Sequence, residues 1–95
     1  MAVATHGPDT CAAVVPEVTE IAMAGFQQLG DAAKKLGITV QGTWTNMPAH
    51  TIYFLVDAPD AHAVSQLFRD IRLMDWNTVV VNPVVILQEA MDSLQ

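Results

Sequence analysis

Apolar residues change their spacing along this chain, from strand-like alternation to helical steps and back, and this switching restricts its fold most. The longest periodic stretch follows Pro16, where apolar residues recur at steps of three and four. They are Val18, Ile21, Ala22, Gly25, Phe26, Leu29, Ala32, Ala33 and Leu36. Because residues three and four apart share one helix face, the pattern predicts an amphipathic helix. Pro16 suits its first turn, and Gly37 suits its C-terminal end.

Two strand-like runs follow this helix and predict a hairpin. Residues 38–45 and 50–57 both alternate with period two. The predicted register pairs Trp44 with Ile52, because a slip of one residue would mix apolar and polar side chains on each face. One face then carries Ile38, Val40, Gly42, Trp44, Ile52, Phe54 and Val56. The other carries Thr39, Gln41, Thr43, Thr45, Thr51, Tyr53, Leu55 and Asp57.

Shorter elements complete the pattern. Residues 1–5 predict a first strand, and Asp60 is a suitable N-cap for a second helix. Residues 75–87 predict a last strand that Pro83 interrupts, as an edge strand tolerates. A short helix or tail is expected at 89–94. The order β-α-β-β-α-β is the ferredoxin-like pattern of an α+β protein. Right-handed crossovers place two helices on one face of an antiparallel sheet with strand order 4-1-3-2.

Composition predicts the class of partner. The 95 residues make a single domain, with 52% hydrophobic and 15% charged residues, below the roughly 25% charged residues of average proteins. Such a surface predicts a homodimer or a higher even oligomer. A net charge of −6, with four basic residues, argues against nucleic acid and anionic membranes as partners. The single cysteine, the lack of a long apolar span and the uncharged N-terminal segment predict a cytoplasmic protein.

Several motifs occur together in the second half of the chain. They are the Gly42-Thr-Trp44 strand, the hairpin, a strand ending at Asp57 and a last strand ending in Pro83-Val84. In this combination the chain resembles small members of the dimeric α/β-barrel superfamily, in which His6-Gly-Pro-Asp falls where a His, Pro and acidic residue are frequent. The resemblance implies two sheets facing each other across a two-fold axis, with helices outside. It does not select a function, because this superfamily includes several enzymes and haem-binding proteins.

The first half contains a candidate metal site. His6, Asp9 and Cys11 combine imidazole, carboxylate and thiol donors, which suit a copper or zinc ion. The alternative is that His6 and Asp9 are turn residues and that Cys11 is a small buried apolar group. Strands 1 and 3 are expected to be parallel neighbours. Within one subunit this separates His50 from His6 by the length of a strand.

The polar hairpin face predicts a ligand site inside the implied barrel. Its candidate ligand-binding residues are Gln41, Thr43, Thr45, Thr51 and Tyr53, because buried hydroxyl and amide groups need hydrogen-bond partners. His6 and Tyr53 are candidate catalytic residues for acid–base chemistry. The sequence thus predicts a homodimer that binds a small ligand or a metal. The alternative is a cofactor-independent isomerase, cyclase or monooxygenase acting on a small organic substrate, and whether the chain is an enzyme stays open.

Overall fold

A computed structural model describes all 95 residues and shows an α+β domain. Its elements are β1 (Ala2–Thr5), α1 (Pro16–Lys35), β2 (Thr39–Asn46), β3 (Thr51–Asp57), α2 (Ala61–Asp70), β4 (Thr78–Val81) and α3 (Leu87–Asp92). Both long helices begin as the sequence predicts. Pro16 occupies the first turn of α1, and the Asp60 carboxylate accepts the Ala63 backbone N–H at the start of α2, at 2.7 Å.

The four strands form one antiparallel sheet in the order β2-β3-β1-β4, which reads β4-β1-β3-β2 from the other edge. β1 pairs with β3 antiparallel, with Ala2 opposite Phe54 and Thr5 opposite Thr51. The expectation that these strands run parallel is therefore wrong. The α1 crossover leaves β2 running in the direction of β1, and the β2–β3 hairpin then reverses the chain. The end of β1 consequently lies beside the start of β3.

The predicted hairpin register holds only at the base of the hairpin. Val40 pairs with Val56 as expected, but a β-bulge between Val40 and Gly42 shifts every later pair by one residue. Trp44 therefore lies opposite Tyr53 rather than Ile52. A bulge adds one residue to one strand and so exchanges the faces of the residues beyond it.

The bulge corrects the face predicted for two threonines. Thr43 pairs with Phe54 and Thr45 pairs with Ile52, so both lie on the face that carries the core side chains of β3. Trp44 takes the opposite face and is more than half exposed. The alternation of the hairpin did not reveal this change, because it stays regular on both sides of Gln41. Gly42 is the local signal of the bulge, since a glycine inside a strand often marks one.

The core lies between one sheet face and the two long helices. Ala2, Ala4, Ile52 and Phe54 contribute from the sheet, and Ala22, Ala33, Val64, Leu67 and Phe68 contribute from the helices. The Phe54 and Phe68 rings lie 4.9 Å apart between centroids. Gly25 allows α1 to approach α2, because a side chain there would overlap the Ile71 carbonyl oxygen.

The last strand is shorter than predicted. It covers Thr78–Val81 rather than residues 75–87, and Leu73–Asp75 forms a 3-10 turn instead. Pairing stops before Pro83, which lacks an N–H to donate to a neighbouring strand. The residues that follow are exposed, from Val84 at 59% to Leu87 at 74%. None of the helices is both long enough and apolar enough to span a membrane.

Candidate metal centre

A row of three polar side chains continues the sheet beyond its last core residues. Extending the β1–β3 register by one residue places His50 opposite His6, and the His6 backbone N–H donates to the His50 carbonyl at 3.1 Å. Extending the β1–β4 register in the same way places Asn77 on the other side of His6. His6 therefore lies between two polar neighbours, at the end of the buried sheet face.

Cys11 reaches this row through the connection between β1 and α1. A 3-10 turn at Pro8–Thr10 reverses the chain after β1. The Cys11 carbonyl then accepts the backbone N–H groups of Val14 and Val15, at 3.1 and 2.9 Å. These bonds fix Cys11 in front of the first turn of α1, and the residue is only 9% exposed.

His6, Cys11 and His50 form a group with the chemistry of a metal site. One donor atom from each residue lies within 4.8 Å of the other two. Two imidazoles and one thiol are donors that suit zinc and copper(I) rather than calcium or magnesium, which prefer oxygen. The His6 and His50 rings are edge-to-face, with centroids 5.2 Å apart.

Asn77 determines which nitrogen of His6 is free. The Asn77 Nδ2 group donates to the Leu73 carbonyl at 3.1 Å, so its Oδ1 atom is left as an acceptor. His6 Nδ1 lies 2.8 Å from this oxygen and must therefore carry the proton of the neutral ring. The lone pair is then on Nε2. Metal-binding histidines in proteins are oriented by this type of hydrogen bond from the second ring nitrogen.

Two buried nitrogens at this site, one within the group and one next to it, have no hydrogen-bond partner. They are Nδ1 of His50 and Nε1 of Trp76. Buried polar atoms are paired in the great majority of cases, so an unpaired imidazole nitrogen is available to a ligand. His50 also has a positive φ of 50°, a conformation that non-glycine residues adopt uncommonly and that costs about 1 kcal/mol or more.

A pocket of about 460 Å³ opens directly onto these side chains, and His6, Cys11 and His50 all contribute to its wall. Most of the wall is apolar and includes Phe26 and Trp76, whose rings pack edge-to-face with centroids 6.3 Å apart. None of its thirteen lining residues is Lys, Arg, Asp or Glu. The volume falls in the usual range for small-molecule pockets, roughly 300–1,000 Å³.

Residues 10–95 match the family described as a domain of unknown function, DUF3303. The chain belongs to the DUF3303 family. Cys11 and His50 lie within the matched residues of this DUF3303 chain, whereas His6 precedes them. No curated protein matches the sequence, and no solved structure matches it.

The DUF3303 chain brings together only part of the metal site predicted from its sequence. His6 and Cys11 belong to the group, but Asp9 is exposed and lies outside it. His50, which the expected strand direction had separated from His6, is the third member of the group. The correction follows from the antiparallel pairing of β1 with β3.

The predicted ligand-binding residues are divided between the two sheet faces. Thr43 and Thr45 line the pocket, since the bulge turns them toward the helices. Gln41, Thr51 and Tyr53 do not line it. Tyr53 pairs with Trp44 and Val3, away from the face that carries His6. The predicted catalytic pair of His6 and Tyr53 is therefore not assembled within one chain.

Two further residues of the site, Asn77 and Trp76, were not among the sequence-predicted site residues. A signal for Asn77 was present. An antiparallel β1–β4 pair places the start of β4 beside the end of β1, and therefore beside His6. Trp76 next to it is 5% exposed, and its ring centroid lies 5.1 Å from that of His6.

Proposed function

We propose that this DUF3303 protein is a metal-binding protein in which His6, Cys11 and His50 hold a zinc or copper(I) ion. The observation that carries the proposal is the closeness of the three donor atoms, all within 4.8 Å of one another. His6 and Cys11 lie five positions apart, His50 comes from the start of β3, and the three residues meet at one end of the sheet. The ordinary alternative, a buried cysteine with two turn histidines, does not account for the unpaired Nδ1 of His50.

The geometry requires a small adjustment on binding. Zinc–nitrogen bonds of about 2.0–2.1 Å and zinc–sulfur bonds of about 2.3 Å place tetrahedral ligands roughly 3.3–3.8 Å apart. The widest donor separation, up to 4.8 Å, must therefore shorten by about 1 Å. Rotation of the partly exposed His50 ring can supply this movement, whereas His6 is held by Asn77 and Cys11 is buried.

A cobalt(II) titration tests the proposal, because cobalt substitutes for zinc and is coloured. The wild-type chain is expected to bind one equivalent and to develop the intense visible bands of four-coordinate cobalt with a thiolate charge-transfer band. Cys11→Ala should lose the charge-transfer band. His50→Asn should weaken binding, and asparagine is chosen because it tolerates the positive φ at this position.

The chain offers a matched control for each histidine substitution. His62 is an exposed residue in α2, outside the donor group, so His62→Asn should bind cobalt as the wild type does. Zinc should displace the bound cobalt stoichiometrically. Absence of cobalt and zinc binding under reducing conditions, together with failure to take up copper(I), would refute the proposal. Equal binding by wild type and Cys11→Ala would refute the assigned ligands.

We also propose that the chain forms a homodimer with the arrangement of a ferredoxin-like dimeric α/β barrel. The strand order β4-β1-β3-β2 with antiparallel neighbours supports this arrangement. Exposed apolar side chains on the sheet face away from the helices, such as Val80 and Trp44, supply surface for a second copy. A reducing cytoplasm would suit a Cys11 ligand, since the thiol would stay unoxidised there.

A further inference from the structure

We infer that a zinc ion held at this site takes as its fourth ligand a small organic anion whose apolar body fills the adjoining pocket. This inference rests on the proposed metal site and specifies the class of molecule that binds there. It starts from the number of protein donors. Structural zinc sites have four protein ligands, whereas three protein ligands leave a position for an exchangeable molecule.

The donor group has three members and no fourth His, Cys, Asp or Glu. The same three residues line the pocket, so an ion held by them faces the pocket on its remaining side. A molecule in the pocket is therefore positioned to supply the fourth donor atom. Asp9, which lies between His6 and Cys11 in the sequence, is exposed and does not line the pocket.

Charge determines the kind of molecule. A zinc ion with one thiolate and two neutral imidazoles carries a net charge of +1. No lining residue is acidic, so the protein does not neutralise this charge within the pocket. No lining residue is basic either, and the whole chain carries a net charge of −6. An anion therefore has a favourable partner in this pocket only when zinc is present.

The pocket wall determines the rest of the molecule. Phe26, Ile52, Trp76 and Val14 present apolar surface, which favours an apolar body over a hydrated one. Thr43 and Thr45 are the hydroxyl-bearing residues of the wall. The ligand class is accordingly a carboxylate or thiolate with one charged donor group on an aliphatic or aromatic body.

Calorimetry with naphthoate and its uncharged isostere naphthamide tests the inference. Each is titrated into metal-free, zinc-loaded and copper(I)-loaded protein. Naphthoate is expected to bind the zinc form roughly tenfold to a hundredfold more tightly than the metal-free form, and naphthoate should raise zinc affinity by the same factor. Naphthamide should show little preference. The copper(I) form should show no gain for naphthoate, because one thiolate already cancels the charge of the ion.

The outcomes separate this inference from the proposed function. If zinc binds but naphthoate has equal affinity for the zinc and metal-free forms, or binds neither, the inference is wrong and the metal site stands. Equal tightening of naphthoate and naphthamide, or equal tightening by copper(I), would overturn the charge argument. Failure of zinc itself to bind would instead remove the metal site. His62→Asn protein, loaded with zinc, should reproduce the wild-type gain and serves as the matched control.

Discussion

His6 Nδ1 lies 2.8 Å from the Oδ1 atom of Asn77, a residue 71 positions later in the chain. This hydrogen bond joins the end of β1 to the start of β4 and directs the Nε2 lone pair of His6 away from Asn77. The same amide donates to the Leu73 carbonyl. Asn77 is thus a positioning residue, which acts on the metal through His6 and does not contact the metal itself.

Substitution of Asn77 should weaken metal binding through the loss of this orientation. Asn77→Ala is expected to lower zinc affinity by about 10- to 100-fold, the usual effect of removing an outer-shell partner. Asn77→Asp keeps an oxygen acceptor for His6 Nδ1–H and should recover most of the affinity. Competition with a chromophoric chelator measures both. Urea unfolding of the metal-free proteins separates this effect from stability, which both variants reduce through loss of the bond to Leu73.

Equal zinc affinity in Asn77→Ala and wild type would contradict the positioning role. Equal loss in Asn77→Ala and Asn77→Asp would assign the effect to the Leu73 contact instead. Asn82, an exposed residue beyond β4, provides the control substitution Asn82→Ala, for which no change in zinc affinity is expected.

Two glycines of α1 should respond oppositely to the same substitution. A side chain at Gly25 would overlap the Ile71 carbonyl oxygen, whereas Gly30 has open space around it. Gly25→Ala should therefore destabilise the chain by about 1–3 kcal/mol through overpacking. Gly30→Ala should stabilise it by about 0.5–1 kcal/mol, because alanine is the better helix former. Urea unfolding measures both, and stabilisation by Gly25→Ala would contradict the close approach of α1 to α2.

Removal of the N-cap of α2 should lower the free energy of unfolding by less than Gly25→Ala does. Asp60 accepts the Ala63 N–H, and Asp60→Ala should reduce the free energy of unfolding by about 0.5–2 kcal/mol. Asp60→Ser should restore most of it, since serine is also a good N-cap. The two unfolding midpoints are compared by urea titration. A loss of stability that Asp60→Ser does not recover would show that capping is not the role of this carboxylate.

The proposed homodimer depends on exposed apolar surface. Sedimentation equilibrium at micromolar concentration is expected to give twice the 10.3 kDa mass of one chain. Val80 and Trp44 are both more than half exposed, so a charge at Val80, as in Val80→Asp, should shift the protein toward monomer. Gln88→Asp, a substitution in the exposed α3, should not. A wild-type species of one chain mass would contradict the dimer.

The sequence predicted α1 and the start of α2 well because local signals define both. Pro16 and Asp60 mark helix starts through their own backbone and side-chain chemistry, and the apolar stripe of α1 has one period throughout. The bulge at Gln41 is marked only by the neighbouring Gly42, since a glycine inside a strand often accompanies a bulge. The alternation on both sides of Gln41 remains regular. The alternation alone therefore placed Thr43, Trp44 and Thr45 on the wrong faces, and the strand pairing established the exchange.

Part of the metal group, His6 and Cys11, was predicted because these two residues are close in sequence. His6 and Cys11 lie five positions apart, but His50 depends on the direction of β3 relative to β1. The expectation of parallel strands placed it a strand length away, whereas a crossover followed by a hairpin makes these strands antiparallel. Asp9 shows the opposite error, because closeness in sequence did not bring its exposed side chain into the group.

X-ray absorption at the zinc edge of the loaded wild-type protein tests the metal site most directly, because it counts the ligand atoms around the ion. The predicted first shell contains one sulfur at about 2.3 Å and two imidazole nitrogens at about 2.0–2.1 Å, with one further light atom. The sulfur should disappear in Cys11→Ala. A shell of light atoms alone in the wild-type protein, or one with no imidazole scattering, would contradict a site made of His6, Cys11 and His50.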